Sequence, residues 1–225
     1  MSELKIIIAN KRYSSWSLRG WLAVRHTDLP FEEIMLRLDT PAFYQEIVKY
    51  NPAKKVPTLL HANIAVWDSA AIIDYCSRIA PGKHWWPEEN AAYAVARSIC
   101  AEMHSGFTHL RTHMPMNMQG RWRGLSLSSD VENDVRRVEQ IWTQCRETLG
   151  TNGDFLFGDF SAADMMYAPV VSRFETYDIQ LNPVASAYRD AVLAHSDFVE
   201  WLSAAEKENE IVTADQIPAS ATHLG

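Results

Sequence analysis

The chain has 225 residues, 47% of them hydrophobic, enough to bury the core of one large domain or two modest ones. Its 21 basic and 28 acidic residues leave a net charge of −7 at pH 7. No basic patch stands out, since "RWRG" at 121–124 and the pair Arg136 and Arg137 are too short, which argues against nucleic acid as a partner.

The N-terminal run "MSELKIIIAN" is too short and lacks a small-residue cleavage site for a signal peptide, and nowhere do 18 apolar residues run together. A soluble, cytoplasmic chain with no membrane partner is expected. The spacing predicts a strand at 4–8 ("LKIII"), a helix from Trp16 to about His26, a strand at 33–38 and a helix at 41–50 opened by Pro41. "VPTLL" (56–60) and "IAVW" (64–67) lie three residues apart, which demands a hairpin, and 69–80 reads as a helix. The order β-α-β-α-β-β-α predicts a mixed sheet with helices on its faces.

Past "PGKHWWPEE" (81–89) the strand signals vanish. Val95, Ile99, Cys100, Met103, Phe107, Leu110 and Met114 keep helical spacing, predicting one long amphipathic helix over 88–114. Further helices are expected at 129–149, 161–176, 184–195 and 197–208, while "QIPASATHLG" has no periodicity. The Pro- and Trp-rich stretch 81–87 is taken as a linker between units 1–80 and 88–225. Cys76, Cys100 and Cys145 form neither a CxxC nor a metal-ligand pattern, so small buried hydrophobes are expected.

Four stretches carry chemistry or its imitation. "NKRYSSWSLRGW" (10–21) places Ser14 and Ser15 at a helix start, where a serine either caps the free N–H groups or does something more. "NPAKKVPTLL" (51–60) brings Lys55 and Val56 to a strand entry at Pro57. In "VWDSAAI" (66–72), Asp68 and Ser69 read either as helix caps or as a grip on a free amino-acid head, the acid on its ammonium and the hydroxyl and amides on its carboxylate. "GDFSAADMMYAPV" (158–170) has Ser161 and Asp164 in capping-box positions, Phe160 and Met165 as a hydrophobic staple, and Pro169 where it should kink the helix.

Taken in this order and spacing, Lys55-Val56-Pro57-Thr58-Leu59, Asp68-Ser69-Ala70-Ala71-Ile72 and 158–164 resemble the strand-entry, Glu/Gln-Ser-x-Ala-Ile and G-x-x-S-x-A-D motifs of the cytosolic glutathione transferases. The resemblance spans most of the chain. It implies an α/β thioredoxin-like N-terminal domain, an all-α C-terminal domain, a homodimer, and glutathione as co-substrate with no further cofactor. It also implies that Pro57 is cis, that Val56 pairs with the cysteinyl backbone, that Asp68 and Ser69 hold the γ-glutamyl end, and that Lys55 reaches the glycine carboxylate. Ser14-Ser15-Trp16-Ser17 is similar to the Ser-Ser-Cys-Ser of the serine-using zeta class, and alignment on Arg19 puts the reactive serine on Ser14. A hydroxyl donor and a helix N-terminus both stabilise a thiolate. Ser15 would then serve mainly the helix entry, and Tyr13 falls outside the position of the tyrosine that other branches use. Trp16 stands where zeta has cysteine. The zeta arginine for a dicarboxylate falls on Thr176, with Arg173 one turn earlier.

The expected long helix puts His104, Thr108 and Arg111 at i, i+4 and i+7, a stripe that is either a solvated face or the wall of a co-substrate pocket. His109, His113, Met114, Pro115 and Met116 suggest a mobile, polarisable rim, and only Glu102 accompanies these histidines at ligand spacing, so no metal site is expected. The leading expectation is a glutathione transferase attacking small electrophiles. A zeta-like, glutathione-dependent cis–trans isomerase comes second, and a non-enzymatic binding module on the same fold third.

Overall fold

The computed structural model describes residues 3–150, 153–216 and 222–223. Strand β1 (Leu4–Ala9) is the hub of the sheet. Its branched side chains alternate between faces, as a strand's period of two requires. Ile6 and Ile8 join the main core, whereas Ile7 and Ala9 join a smaller one with Phe43 and Ile47. Helix α1 (Ser15–His26) follows, then β2 (Phe31–Leu36) and α2 (Pro41–Ile47), whose N-cap Thr40 accepts from Phe43 N–H. The hairpin β3 (Thr58–His61) and β4 (Ile64–Val66) leads into α3 (Ser69–Ile79). The sheet order is β2-β1-β3-β4, with β1 parallel to β2 (Leu4 opposite Phe31) and antiparallel to β3 (Leu4 opposite His61).

The β2 strand begins two residues before its expected start, because the parallel register with β1 runs from Phe31 to Leu36. Leu38, expected in the strand, instead donates its N–H to the Asn10 side chain. Close packing of α1 on the β3 entry also shapes the site: a Cβ at Gly20 would lie 2.7 Å from Pro57 Cγ. Only a residue without a side chain lets these two segments meet.

The helical part starts with α4 (Asn90–Ser105) and α5 (Thr108–His113). These replace the single long helix expected over 88–114. Gly106 and Phe107 break it, with Phe107 in the left-handed region (φ 55°) and its ring buried. The freed N–H of Leu110 finds Asp134 Oδ2 at 3.0 Å. Met114 and Met116 are core side chains, so the expected mobile rim is absent there. A short strand β5 (Trp122–Arg123) follows, unforeseen from the sequence, then α6 (Ser129–Thr148), α7 (Ala162–Thr176), α8 (Pro183–Ala194) and α9 (Ser196–Ala205). A 3-10 turn (Thr213–Asp215) comes next, and β6 (Thr222–His223) pairs with β5.

Helix α7 is buried on nearly every side and runs without a break through Pro169. Asp164, fully buried, accepts from Ser161 N–H (2.8 Å), Ser161 Oγ (2.9 Å) and Leu156 N–H (3.1 Å), so the expected capping box exists and is extended. The three cysteines are free and buried. No helix among the described residues is long and apolar enough to cross a membrane.

Candidate active site

The site grows from the turn between β1 and α1. Ser14 is the N-cap of α1: its Oγ accepts from Ser17 N–H at 3.3 Å and donates to Ser17 Oγ at 2.7 Å. Ser17 Oγ in turn accepts from Ala9 N–H at 3.0 Å, tying the helix start to the end of β1. The capping expected of Ser15 therefore belongs to Ser14. Ser15 is the first helical residue, half-buried, and its Oγ lies 3.5 Å from Arg173 Nη2. Tyr13 is buried, and its hydroxyl accepts from Gln216 Nε2 at 2.9 Å.

Three arginines gather at this end of α1 without a carboxylate within ion-pair distance among the described residues. Arg173 is buried and donates to Met114 O (2.7 Å) and Pro169 O (3.1 Å). Arg19 donates through Nε to Met166 O, and its buried Nη1 has no hydrogen-bond partner among the described residues. Arg111 donates to Gly106 O at 3.2 Å. The guanidinium carbons of Arg19 and Arg111 lie over the Trp16 ring, 4.7 and 4.8 Å from its centroid. Burial first, and repulsion by Arg173 and Arg111 second, pull Arg19 down to about 9. Burial likewise pulls Arg173 down to about 10, so both remain cations at neutral pH. Backbone carbonyls, the Trp16 ring and, at longer range, Asp215 are what face these charges.

The entry to β3 supplies a backbone edge. The Val56–Pro57 peptide is cis, as the resemblance implied, and Val56 N–H and C=O make no hydrogen bond to a described residue. Asn51 secures this turn by donating to Lys55 O at 2.8 Å and to the Thr58 hydroxyl. At the start of α3, Asp68 is the N-cap, its Oδ1 accepting from Ala70 N–H at 3.0 Å, and its Oδ2 lies 3.0 Å from His104 Nε2. The Trp67–Asp68 peptide is also cis. Ser69 is fully buried and its Oγ has no hydrogen-bond partner among the described residues.

A cleft of about 510 Å3 opens beside these groups; its walls include Trp16, Val56, Pro57, Asp68, His104 and Arg111, while Ser14, Ser15, Ser69 and Arg173 do not line it. Lys55 is exposed on its rim beside Lys54, and Phe43 closes the α2 side. Sequence reasoning had not singled out Lys54 or Phe43; Lys54 carried a signal only as the cation beside Lys55. Thr108 does not join the cleft. The break at Gly106 leaves it exposed at the start of α5, so the expected stripe of His104, Thr108 and Arg111 does not exist as one helical face. Arg111 reaches the cleft because it folds back toward the end of α4.

Residues 13–79 match the family model described as glutathione S-transferase, N-terminal domain, and residues 129–204 match glutathione S-transferase, C-terminal domain. Among curated proteins, the chain is 27% identical over 176 residues to the maleylacetoacetate isomerase of Rattus norvegicus, covering 75% of this chain and 77% of that one. Two solved structures share the fold at 18% identity, each covering 92% of this chain and 100% of the other. One is a bacterial zeta-class maleyl pyruvate isomerase in its holo form (TM-score 0.70), the other a Burkholderia glutathione transferase homolog with bound glutathione (TM-score 0.69).

Proposed function

Because the chain belongs to the glutathione S-transferase family, we propose that it is a glutathione-dependent cis–trans isomerase of a small, conjugated, unsaturated dicarboxylate of the maleylacetoacetate type. The sequence reading placed general transfer to electrophiles first. Relatives named maleylacetoacetate isomerase favour the reverse order. The observation that carries the reading is the cation pair Arg111, on the cleft wall, and Arg173, beside Ser15 at the α1 start, neither with a carboxylate within ion-pair distance among the described residues. A diacid supplies two anions to match them.

In this reading the glutathione backbone pairs with Val56, its γ-glutamyl end with Asp68 and Ser69, and its glycine carboxylate with Lys55 on the cleft rim. Ser14 turns its proton from Ser17 to the sulfur, holding a thiolate at the positive end of α1. The thiolate adds to one alkene carbon while the π electrons move onto the conjugated carbonyl oxygen. Rotation about the new single bond and expulsion of the thiolate then give the trans product, with glutathione recovered. Arg173, next to Ser15, would hold one acceptor carboxylate through the rotation, and Arg111 the other.

The reading extends to a cytoplasmic homodimer, to be checked by light scattering; Ile64, Trp67 and Tyr93 are exposed apolar side chains available for a second copy. The functional test follows cis-to-trans conversion of maleylacetoacetate with and without glutathione, beside conjugation of a chlorinated nitrobenzene. Glutathione-dependent conversion supports the isomerase. Conjugation without conversion returns the protein to the general transferase reading.

A further inference from the structure

Asp68 and His104 belong to different helices, one the N-cap of α3 and the other in the last turn of α4. Their contact at 3.0 Å fixes a carboxylate whose side chain is 47% exposed, for its second oxygen is already held by Ala70 N–H. His104 is itself fixed, its ring edge-on to Trp16 with centroids 5.3 Å apart. Its Nδ1 is buried without a hydrogen-bond partner among the described residues, so the proton that suits this geometry sits on Nε2 and is donated to Asp68. A carboxylate offers about four lone-pair sites, and two donors leave room for more. The sequence placed His104 on an acceptor wall; its direct contact is with the group assigned to the glutathione ammonium.

We propose that His104 is a positioning residue for glutathione recognition, holding the Asp68 carboxylate in the orientation that receives the γ-glutamyl ammonium. The inference rests on the glutathione reading above. An exposed aspartate free to rotate would lose that freedom on binding, and ordering one such side chain weakens association by roughly two- to tenfold. His104 removes this loss in advance, and couples the glutathione half of the cleft to the helix that carries its acceptor wall.

The test is calorimetric. Dissociation constants are measured for the parent, Asp68→Ala, His104→Ala, His104→Gln and the Asp68→Ala/His104→Ala double variant. The ligands are glutathione and an analogue whose γ-glutamyl group is replaced by glutaryl, which lacks only the ammonium. His104→Ala should weaken glutathione about two- to tenfold, leave the glutaryl analogue unchanged, and add nothing in the Asp68→Ala background. His104→Gln, whose amide N–H reaches the same oxygen, should restore most of the affinity. His104→Leu, of similar volume and without a donor, replaces His104→Ala should that variant not fold. An equal loss for both ligands, or a full loss in the Asp68→Ala background, makes His104 merely structural and overturns the proposal. If Asp68→Ala weakens glutathione and His104→Ala does not, the inference falls alone. If the parent binds no glutathione, the functional reading falls and takes the inference with it.

Discussion

The Ser14 hydroxyl accepts from Ser17 N–H and donates to Ser17 Oγ, so one side chain both caps α1 and stands where the sulfur is proposed to lie. Ser14→Ala should therefore lower stability by about 0.5–2 kcal/mol, the usual worth of a cap. It should also raise the pKa of the bound glutathione thiol by roughly one to two units, for a lost hydrogen bond to a charged group. Ser14→Asp separates the effects, since it caps but cannot donate: the melting temperature recovers and the thiol pKa stays high. Thiolate absorbance against pH reads the second effect. A shift that follows Ser15→Ala instead moves the sulfur contact by one residue.

Gly20 sets the distance between α1 and the β3 entry. Gly20→Ala would put a Cβ 2.7 Å from Pro57 Cγ and 2.9 Å from its Cβ. The proline ring cannot yield as a flexible side-chain tip would. Overpacking of this kind costs about 1–3 kcal/mol. The displaced Val56 should also bind glutathione more weakly, although Gly20 itself meets no ligand. Denaturant unfolding with glutathione titration checks both; an unchanged dissociation constant would uncouple Gly20 from the site.

Arg173→Gln removes a buried cation from beside Ser15. A charge-assisted hydrogen bond contributes about 1.5–3 kcal/mol, so kcat/KM for the dicarboxylate should fall roughly 10- to 150-fold. Conjugation of an uncharged nitrobenzene should change little. Parallel losses on both substrates would mean that Arg173 supports the fold through Met114 and Pro169 rather than binding an acceptor.

Asp164 ties stability to pH. Burial outweighs the hydrogen bonds that favour its charge and pushes its carboxyl up to about 6 from the ordinary 3.8. The folded state thus binds a proton that the unfolded state has already released, and stability falls as pH rises from about 4 to about 6. The loss is up to roughly 3 kcal/mol, the free energy that goes with a carboxyl raised from 3.8 to about 6. Between pH 4 and 6 the unfolding free energy of the parent should fall relative to that of Asp164→Asn, which does not titrate; a gap that stays constant refutes the shift. Asp164→Ala should cost more than an ordinary cap, about 3 kcal/mol or more at pH 5, because it strands Leu156 N–H, Ser161 N–H and the Ser161 hydroxyl.

Local chemistry made much of the molecule legible. The branched run of β1, Pro41 opening α2, the hairpin at 61–64 and the Ser161–Asp164 box all act through neighbours a few residues away, and each formed close to where it was read. Residue types also brought Val56, Asp68 and Ser69 forward, and the cleft contains or adjoins them. Helical spacing misled at 104–111, because a periodic pattern carries no mark where a buried Phe107 turns the backbone left-handed and starts a new helix.

What the sequence by itself determined was the order of elements, their apolar faces and the caps that start them, since period and capping depend on bonds within a few residues. Only the tertiary structure decided that Arg173 lies beside Ser15 and that His104 meets Asp68. It also decided that Thr108 is left outside. Those relations join residues separated by as many as 158 positions in the chain. They depend on how α4 and α7 pack against the sheet-bearing part, a balance of burial and steric fit summed over the whole core that no local pattern encodes.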